Sequence, residues 1–303
     1  MPTEVSHLEP SQTWSVAPSQ TLSLDRHRLM GIVNVTPDSF SDGGRWLDSK
    51  AAVDHGLSMV EQGAAILDVG GESSRPGAER VLPDQQISRV KPVIEGLSKQ
   101  TQALISIDTT SSVVAQAALD AGAIIINDIS GGTEDTQMLP LAAKAGCGLI
   151  LMHRLVASNQ DHYAHQHPTP PEYEGGVVEA VQSHLSSLAE AALAAGIEHG
   201  AIVLDPGLGF GKDVEQNLAL VRSTDRLSSL GYPLLSGASR KSFLGAMINQ
   251  ADPVRRDTAS VAVSVLHYQA GVRLFRVHNV AAHEEALKII ASLDAIGSGS
   301  DSC

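Results

Sequence analysis

Residues 123–152 read AIIINDISGGTEDTQMLPLAAKAGCGLILM. An apolar run, Ala123–Asn127, leads through Gly131-Gly132 into a segment of helical period, Asp135–Ala145. Gly146 closes that segment, and a second apolar run follows at Gly148–Met152. Runs this short and this continuously apolar suit strands buried on both faces of a parallel sheet. Two of them joined by a helix that ends in glycine make a β-α-β unit.

The same unit recurs in both directions. Strands are predicted at Met30–Val35, Ala64–Val69, Leu104–Ile107, Ala201–Leu204, Pro233–Ser236 and Arg273–Val277, which makes eight in all. Helices are predicted at Ser49–Gly63, Gln85–Lys99, Ser112–Ala121, Val177–Ala195, Glu215–Leu230, Arg255–Ala270 and Ala281–Ala295. Eight β/α units within one chain predict an α/β protein with a single (β/α)8 TIM barrel. A doubly wound open sheet fits less well, because polar motifs follow nearly every strand and not one dominant turn. The barrel is assigned to residues 21–296, with a short strand in 21–29 closing its bottom. Residues 1–20 read as a flexible N-terminal extension and 297–303 as a flexible tail. The long Pro- and His-bearing connection 154–176 has the least ordered look of any internal segment.

Of the 303 residues, 43% are hydrophobic and 18% charged, so the bulk of the chain is not disordered. Lys and Arg number 21 against 34 Asp and Glu, a net charge of −13 that disfavours nucleic acid and anionic membranes as partners. With 3% aromatics, the core must be built from Ala, Val, Leu and Ile. Two cysteines, Cys147 in an apolar run and Cys303 at the end, make no disulfide framework. No apolar run is long enough to span a bilayer, and the N-terminus has no secretory pattern, so a cytoplasmic location is expected.

Chemistry in a barrel sits at the C-terminal ends of the strands. Those ends deliver Asn34, the 70–77 loop with Ser74-Arg75-Pro76, Asp108, Asn127, Asp205, the Ser239-Arg240-Lys241-Ser242 run, and Arg276 with His278. Carboxylates and an amide at successive strand tips suit paired N–H donors such as a guanidine-like heterocycle. Arg276 and His278 share one strand face. With Arg75 and Asn34 they form a cationic corner suited to a diphosphate. The run Gly207–Lys212 has neither P-loop nor GxGxxG spacing. His162, His165 and His167 lack a fourth ligand and read as a solvated loop.

The chain resembles the dihydropteroate synthases, the folate-pathway enzymes that sulfonamides inhibit. The resemblance lies in MGIVNVTPDSFSDGG (30–44), LDVGGESSRPGA (67–78), SIDTT (106–110), INDISGG (126–132), LMH (151–153), LDPGLGFGK (204–212), GASRKSFLG (237–245) and RVHNV (276–280), in the family's order. It implies an alkyl/aryl transferase of tetrahydrofolate biosynthesis. The reaction would move a 7,8-dihydropterin-6-ylmethyl group from its diphosphate to 4-aminobenzoate. Matched residue by residue, Asp108, Asn127, Asp205 and Lys241 are implied to bind pterin. Asn34, Arg75, Arg276 and His278 are implied to bind diphosphate, with Asn34 as the Mg²⁺ ligand. Phe40, Ser74, Pro76, Phe210 and Ser242 are implied to lie near aminobenzoate. Arg75, Lys241, Arg276 and His278 are the implied catalytic set, and a homodimer is the implied assembly. Ser74 replaces a usual Thr. Asn279 replaces a usual Asp and is expected to bear on the orientation of His278 or a neighbouring arginine. A pterin-binding methyltransferase domain would share the pterin floor without needing the Ser74–Pro76 loop, Ser239–Lys241 or Arg276 and His278. An inactive pterin-binding protein would be expected to lose the diphosphate ligands, which are present.

Overall fold

The computed structural model describes the backbone of residues 13–36 and 44–297 and the side chains of 13–36 and 49–293. Among the described residues the order is β1 (Thr13–Ala17), β2 (Gln20–Ser23), β3 (Arg28–Asn34), α1 (Gly44–Glu61), β4 (Ala64–Gly70), α2 (Pro83–Gln100), β5 (Leu104–Asp108), α3 (Ser112–Ala121), β6 (Ile125–Asp128), α4 (Met138–Ala145), β7 (Gly148–Met152), α5 (Val177–Ala194), β8 (Ile202–Asp205), α6 (Val214–Arg222), α7 (Thr224–Ser228), β9 (Leu235–Ser236), α8 (Ser242–Met247), α9 (Asp257–Gln269), β10 (Leu274–Val277) and α10 (Val280–Gly297). Strands β3 to β10 are parallel neighbours in the order β8-β7-β6-β5-β4-β3-β10-β9. A single bridge, Leu204 to Leu234, joins the ends of this sheet into a barrel. β9 is short because Pro233 before it has no N–H to give the ladder. Every predicted strand is present. The predicted helix 215–230 is two helices, broken at Ser223–Thr224, where the Thr224 hydroxyl donates back to Val221 O at 2.9 Å.

Strand alternation then sorts the barrel interior into layers. Met30, Ile66, Ile125, Ile150, Val203, Leu235 and Leu274 form a buried apolar layer in the lower barrel. Two residues further along their strands stand Asp68, Asn127, Asp205 and Arg276; Asn34, Gly70, Asp108 and His278 reach the mouth. One period of two residues thus changes the interior from apolar to polar. The residues between these positions face outward, into the larger apolar cluster shared with the helices.

The bottom of the barrel departs from expectation. Residues 13–20 are not a free arm: β1 and β2 form an antiparallel hairpin, and its Trp14 is fully buried beneath the apolar layer. The Trp14 Nε1–H donates to Ala201 O at 2.8 Å. Gly148 makes room for the ring, since a Cβ there would lie 2.9 Å from it. The physical reason is that an open barrel end exposes apolar side chains, and one indole covers them. The predicted closing strand therefore begins earlier and is paired in a hairpin. Residues 1–12, and 298–303 of the predicted tail, lie outside the described residues. Trp14→Ala should cost about 3–5 kcal/mol, read as a lower denaturant midpoint at unchanged slope. An unchanged midpoint would mean that the indole does not plug the barrel.

Candidate active site

Arg276 occupies the centre of the mouth. Its Nε–H donates to Asp68 Oδ2 and its Nη2 donates to Asp108 Oδ2, each at 2.6 Å. Asn127 Nδ2 donates to the same Asp68 oxygen at 3.0 Å. Asp68, Asp108, Asn127 and Arg276 are therefore one network drawn from β4, β5, β6 and β10. Two carboxylates share one guanidinium. Burial pushes Asp108 up to about 7, Arg276 opposes that rise, and Asp68 adds to it. The two carboxylates in turn hold the Arg276 guanidinium above its ordinary range despite its burial.

Asp205 ends β8 beside this network. Its Oδ1 accepts from Gly207 N–H at 2.7 Å. Its Oδ2 faces Gly237, where a Cβ would approach to 3.3 Å. Burial raises the Asp205 carboxyl, while the Gly207 bond and the cations Lys241, Arg276 and Lys212 draw it down. Gly207 has a φ of +67°, and a Cβ there would sit 1.8 Å from His153 O. Gly207→Ala should therefore displace the loop that holds Asp205. A lowered denaturant midpoint is the check; a wild-type midpoint would contradict the geometry.

Lys212 lies under that loop, fully buried. Its ammonium donates to Gly207 O at 2.9 Å and Phe210 O at 2.8 Å, and reaches His153 Nδ1 at 2.9 Å. It staples the glycine-rich turn from below. Phe210 is thereby held beneath Lys241, whose Nζ stands 3.8 Å from the ring centroid. Burial pushes Lys241 down to about 8. Its stem passes Gly209, where a Cβ would come within 2.9 Å of Lys241 Cδ.

The predicted residues are not equally close. The 70–77 loop is anchored, since Glu72 Oε2 accepts from Val81 N–H at 3.1 Å and Gln86 Nε2 at 2.6 Å, while Gly77 N–H donates to Ser158 O at 2.9 Å. Ser74 and Pro76 are half-buried in it, and Arg75 is exposed. Ser242 opens α8, and its Oγ accepts from Ala164 N–H at 3.0 Å. Phe40 lies outside the described residues.

The 154–176 connection is held to its surroundings, contrary to its sequence-based appearance. Asp161 accepts from Gly211 N–H at 2.8 Å and the Tyr173 hydroxyl donates to Gly211 O at 2.6 Å. Docked polar side chains, not its own secondary structure, order it. Asn279 Nδ2 donates to Asp257 Oδ2 at 2.9 Å, and Asp257 also accepts both donors of the Arg240 fork. Residue 279 thus acts on the neighbouring arginine, through Asp257.

The pterin binding enzyme family matches residues 30–278. The chain belongs to this family. A dihydropteroate synthase from Mycobacterium leprae is 46% identical over 277 residues, covering 89% of this chain and 95% of that protein. The structure of Xanthomonas albilineans dihydropteroate synthase with 4-aminobenzoic acid superposes with a TM-score of 0.85 at 41% identity, over 94% of this chain and 99% of the other. The same enzyme in complex with 7,8-dihydropteroate gives 0.82 at 39% identity, over 93% and 99%.

Two participants in this site escaped the sequence-based set. Asp68 was readable in principle, as a lone carboxylate inside an apolar strand. Lys212 closes a glycine-rich run that matches no nucleotide-binding spacing, and its side chain builds that turn.

Proposed function

We propose that the chain is a dihydropteroate synthase. It transfers the 7,8-dihydropterin-6-ylmethyl group from its diphosphate to the amine of 4-aminobenzoate and releases diphosphate. One observation carries the reading: an acceptor floor of Asp205, Asp108 and Asn127 lies directly beside a guanidinium braced on two carboxylates. The floor suits the N–H edge of a pterin. The guanidinium suits the leaving group, because only part of its N–H set is taken by Asp68 and Asp108.

The C–O bond of the methylene breaks, and its electron pair leaves with diphosphate. Arg276 and Arg75 would stabilise the charge that develops there, and His278 would donate to it. The carboxylates of the floor supply negative potential near the ring, which favours cationic character on the methylene. The arylamine nitrogen then forms the C–N bond and gives its proton to solvent or diphosphate. An arylamine is neutral at pH 7, so no strong base is assigned. Lys241, held over Phe210, would offer N–H donors to the pterin. Ser74, Pro76, Phe210 and Ser242 would flank the aminobenzoate, with Phe40.

Asn34 would hold Mg²⁺. Gly70 keeps the space beside its amide oxygen open: a Cβ there would lie 3.8 Å from Asn34 Oδ1 and 3.8 Å from Asp108 Oδ2. A lone amide oxygen fits an ion that retains waters and takes its remaining ligands from the substrate's phosphates. When bound, Mg²⁺ shields the diphosphate charge. The reading extends to a cytoplasmic homodimer. Leu266 of α9 and Ile289 and Leu293 of α10 stand exposed on packed neighbouring helices, which supports an apolar contact between copies.

Diphosphate release from the pterin substrate, measured with and without 4-aminobenzoate, tests the reading. Release that depends on 4-aminobenzoate is expected, with sulfonamide competing against it. Pterin binding without release would leave only a pterin-binding protein.

A further inference from the structure

His278 can meet an anion as an imidazolium or as either neutral tautomer, and one buried hydroxyl distinguishes these states. Ser239 Oγ accepts from the His278 backbone N–H at 3.1 Å and also lies 3.0 Å from the ring Nδ1. A hydroxyl has one proton to give and two lone pairs to receive. If Nδ1 carried a proton, Oγ would accept twice and its own proton would need a third partner. Ser239 is 7% exposed, and no further partner of its hydroxyl stands among the described residues. A stranded buried donor costs about 1–3 kcal/mol. If the hydroxyl donates to Nδ1, the hydroxyl and Nδ1 are both satisfied and the ring proton resides on Nε2.

The pairing is held from both sides. Arg240, next to Ser239, adopts a left-handed φ of +59°. Its fork grips Asp257 at 2.6 and 2.9 Å, and its N–H donates to Ser260 Oγ at 2.9 Å. Asn279, next to His278, donates to the same Asp257 at 2.9 Å. One carboxylate therefore holds the chain segments of Ser239 and His278 in register. The charged groups around the imidazole are Arg240, Arg276 and Lys241, opposed by Asp257. Burial, aided by three cations, keeps the ring neutral, drawing it down to about 3.

We propose that Ser239 is a positioning residue that fixes His278 as the neutral Nε2–H tautomer, so that His278 serves the leaving diphosphate as a hydrogen-bond donor and not as a cation. The second half of this statement rests on the proposed function; the first half does not. The cationic corner expected from the sequence is thereby reduced to Arg75 and Arg276, with His278 as a neutral donor.

Nitrogen NMR of the full chain labelled at histidine, without substrate at pH 7, tests the tautomer. The His278 ring is assigned by the signals lost in His278→Gln. A protonated, pyrrole-type Nε2 with a pyridine-type Nδ1 is expected. A protonated Nδ1, in either the other tautomer or the imidazolium, overturns the assignment, and this wild-type result does not depend on the folding of either Ser239 variant. Ser239→Ala should mix the tautomers and lower kcat about 10- to 100-fold, with the KM for 4-aminobenzoate unchanged. Ser239→Thr, which keeps the hydroxyl, should restore both. The expected spectrum with unchanged kcat in Ser239→Ala would overturn the donor role alone. Failure of wild-type diphosphate release would instead overturn the synthase reading.

Discussion

Arg276→Ala is expected to abolish turnover and to remove about 3–5 kcal/mol of stability, the loss typical of breaking a buried ion pair from one side. Asp68 has no solvent exposure, and Arg276 is its only ion-pair partner and that of Asp108 among the described residues. Without the guanidinium, two carboxyl groups share a dry site with only Asn127 to donate. A carboxyl raised in the folded state keeps its proton there after the unfolded chain has released it. Stability then falls as pH rises from about 4 through the raised value, by the difference in bound protons. With Asp108 already pushed up to about 7, the variant's deficit should be smaller at pH 5 than at pH 8. Denaturant melts at the two pH values measure it; a deficit that does not change with pH would place the loss in packing and not in charge. Adding Asp68→Asn and Asp108→Asn to Arg276→Met should recover stability without recovering activity. The resemblance implies a place for Arg276 at the diphosphate; the structure adds its pairing with Asp68 and Asp108. The residue proposed to face the diphosphate also pairs with two carboxylates of the floor, so its loss should reach pterin binding as well.

Gly70→Ala is expected to fold normally and to lose about 100-fold or more in turnover. The backbone of Gly70 is not in the left-handed region, and an added Cβ would find only ordinary contacts at 3.6–3.8 Å. Stability should therefore stay within about 1 kcal/mol of wild type. The methyl would nonetheless fill the space between Asn34 Oδ1 and Asp108 Oδ2. Thermal melts together with the Mg²⁺ dependence of kcat/KM separate the two effects. Full activity would show that neither cation nor substrate uses that space.

The contrast between Asp68 and Asp128 shows how far local pattern carries. Both are fully buried carboxylates in apolar strands, Asp68 inside β4 and Asp128 at the end of β6. Asp128 spends its oxygens on its own turn, accepting from Ser130 N–H and Oγ at 2.7 Å and from Gly132 N–H at 2.8 Å. Such bonds to the next few residues are legible in a run like Asn-Asp-Ile-Ser-Gly-Gly. The partners of Asp68 lie 59 and 208 residues away, in β6 and β10, which do not pair with β4 and meet it only across the barrel interior. Trp14 is similar: a lone indole in a polar N-terminal segment, whose acceptor is 187 residues distant.

The sequence by itself determined the eight β/α units and the polar motifs that follow nearly every strand. Both are local patterns, which repeat along the chain and need no partner. It also placed Asn34, Asp108, Asn127, Asp205, Lys241, Arg276 and His278 at the strand ends. Only the tertiary structure decided how those groups divide their charge and their protons: Arg276 between two carboxylates, Lys212 under the turn, Ser239 against His278. Neutralisation and hydrogen-bond satisfaction in a buried site are conditions on neighbours in space, and barrel closure chooses those neighbours.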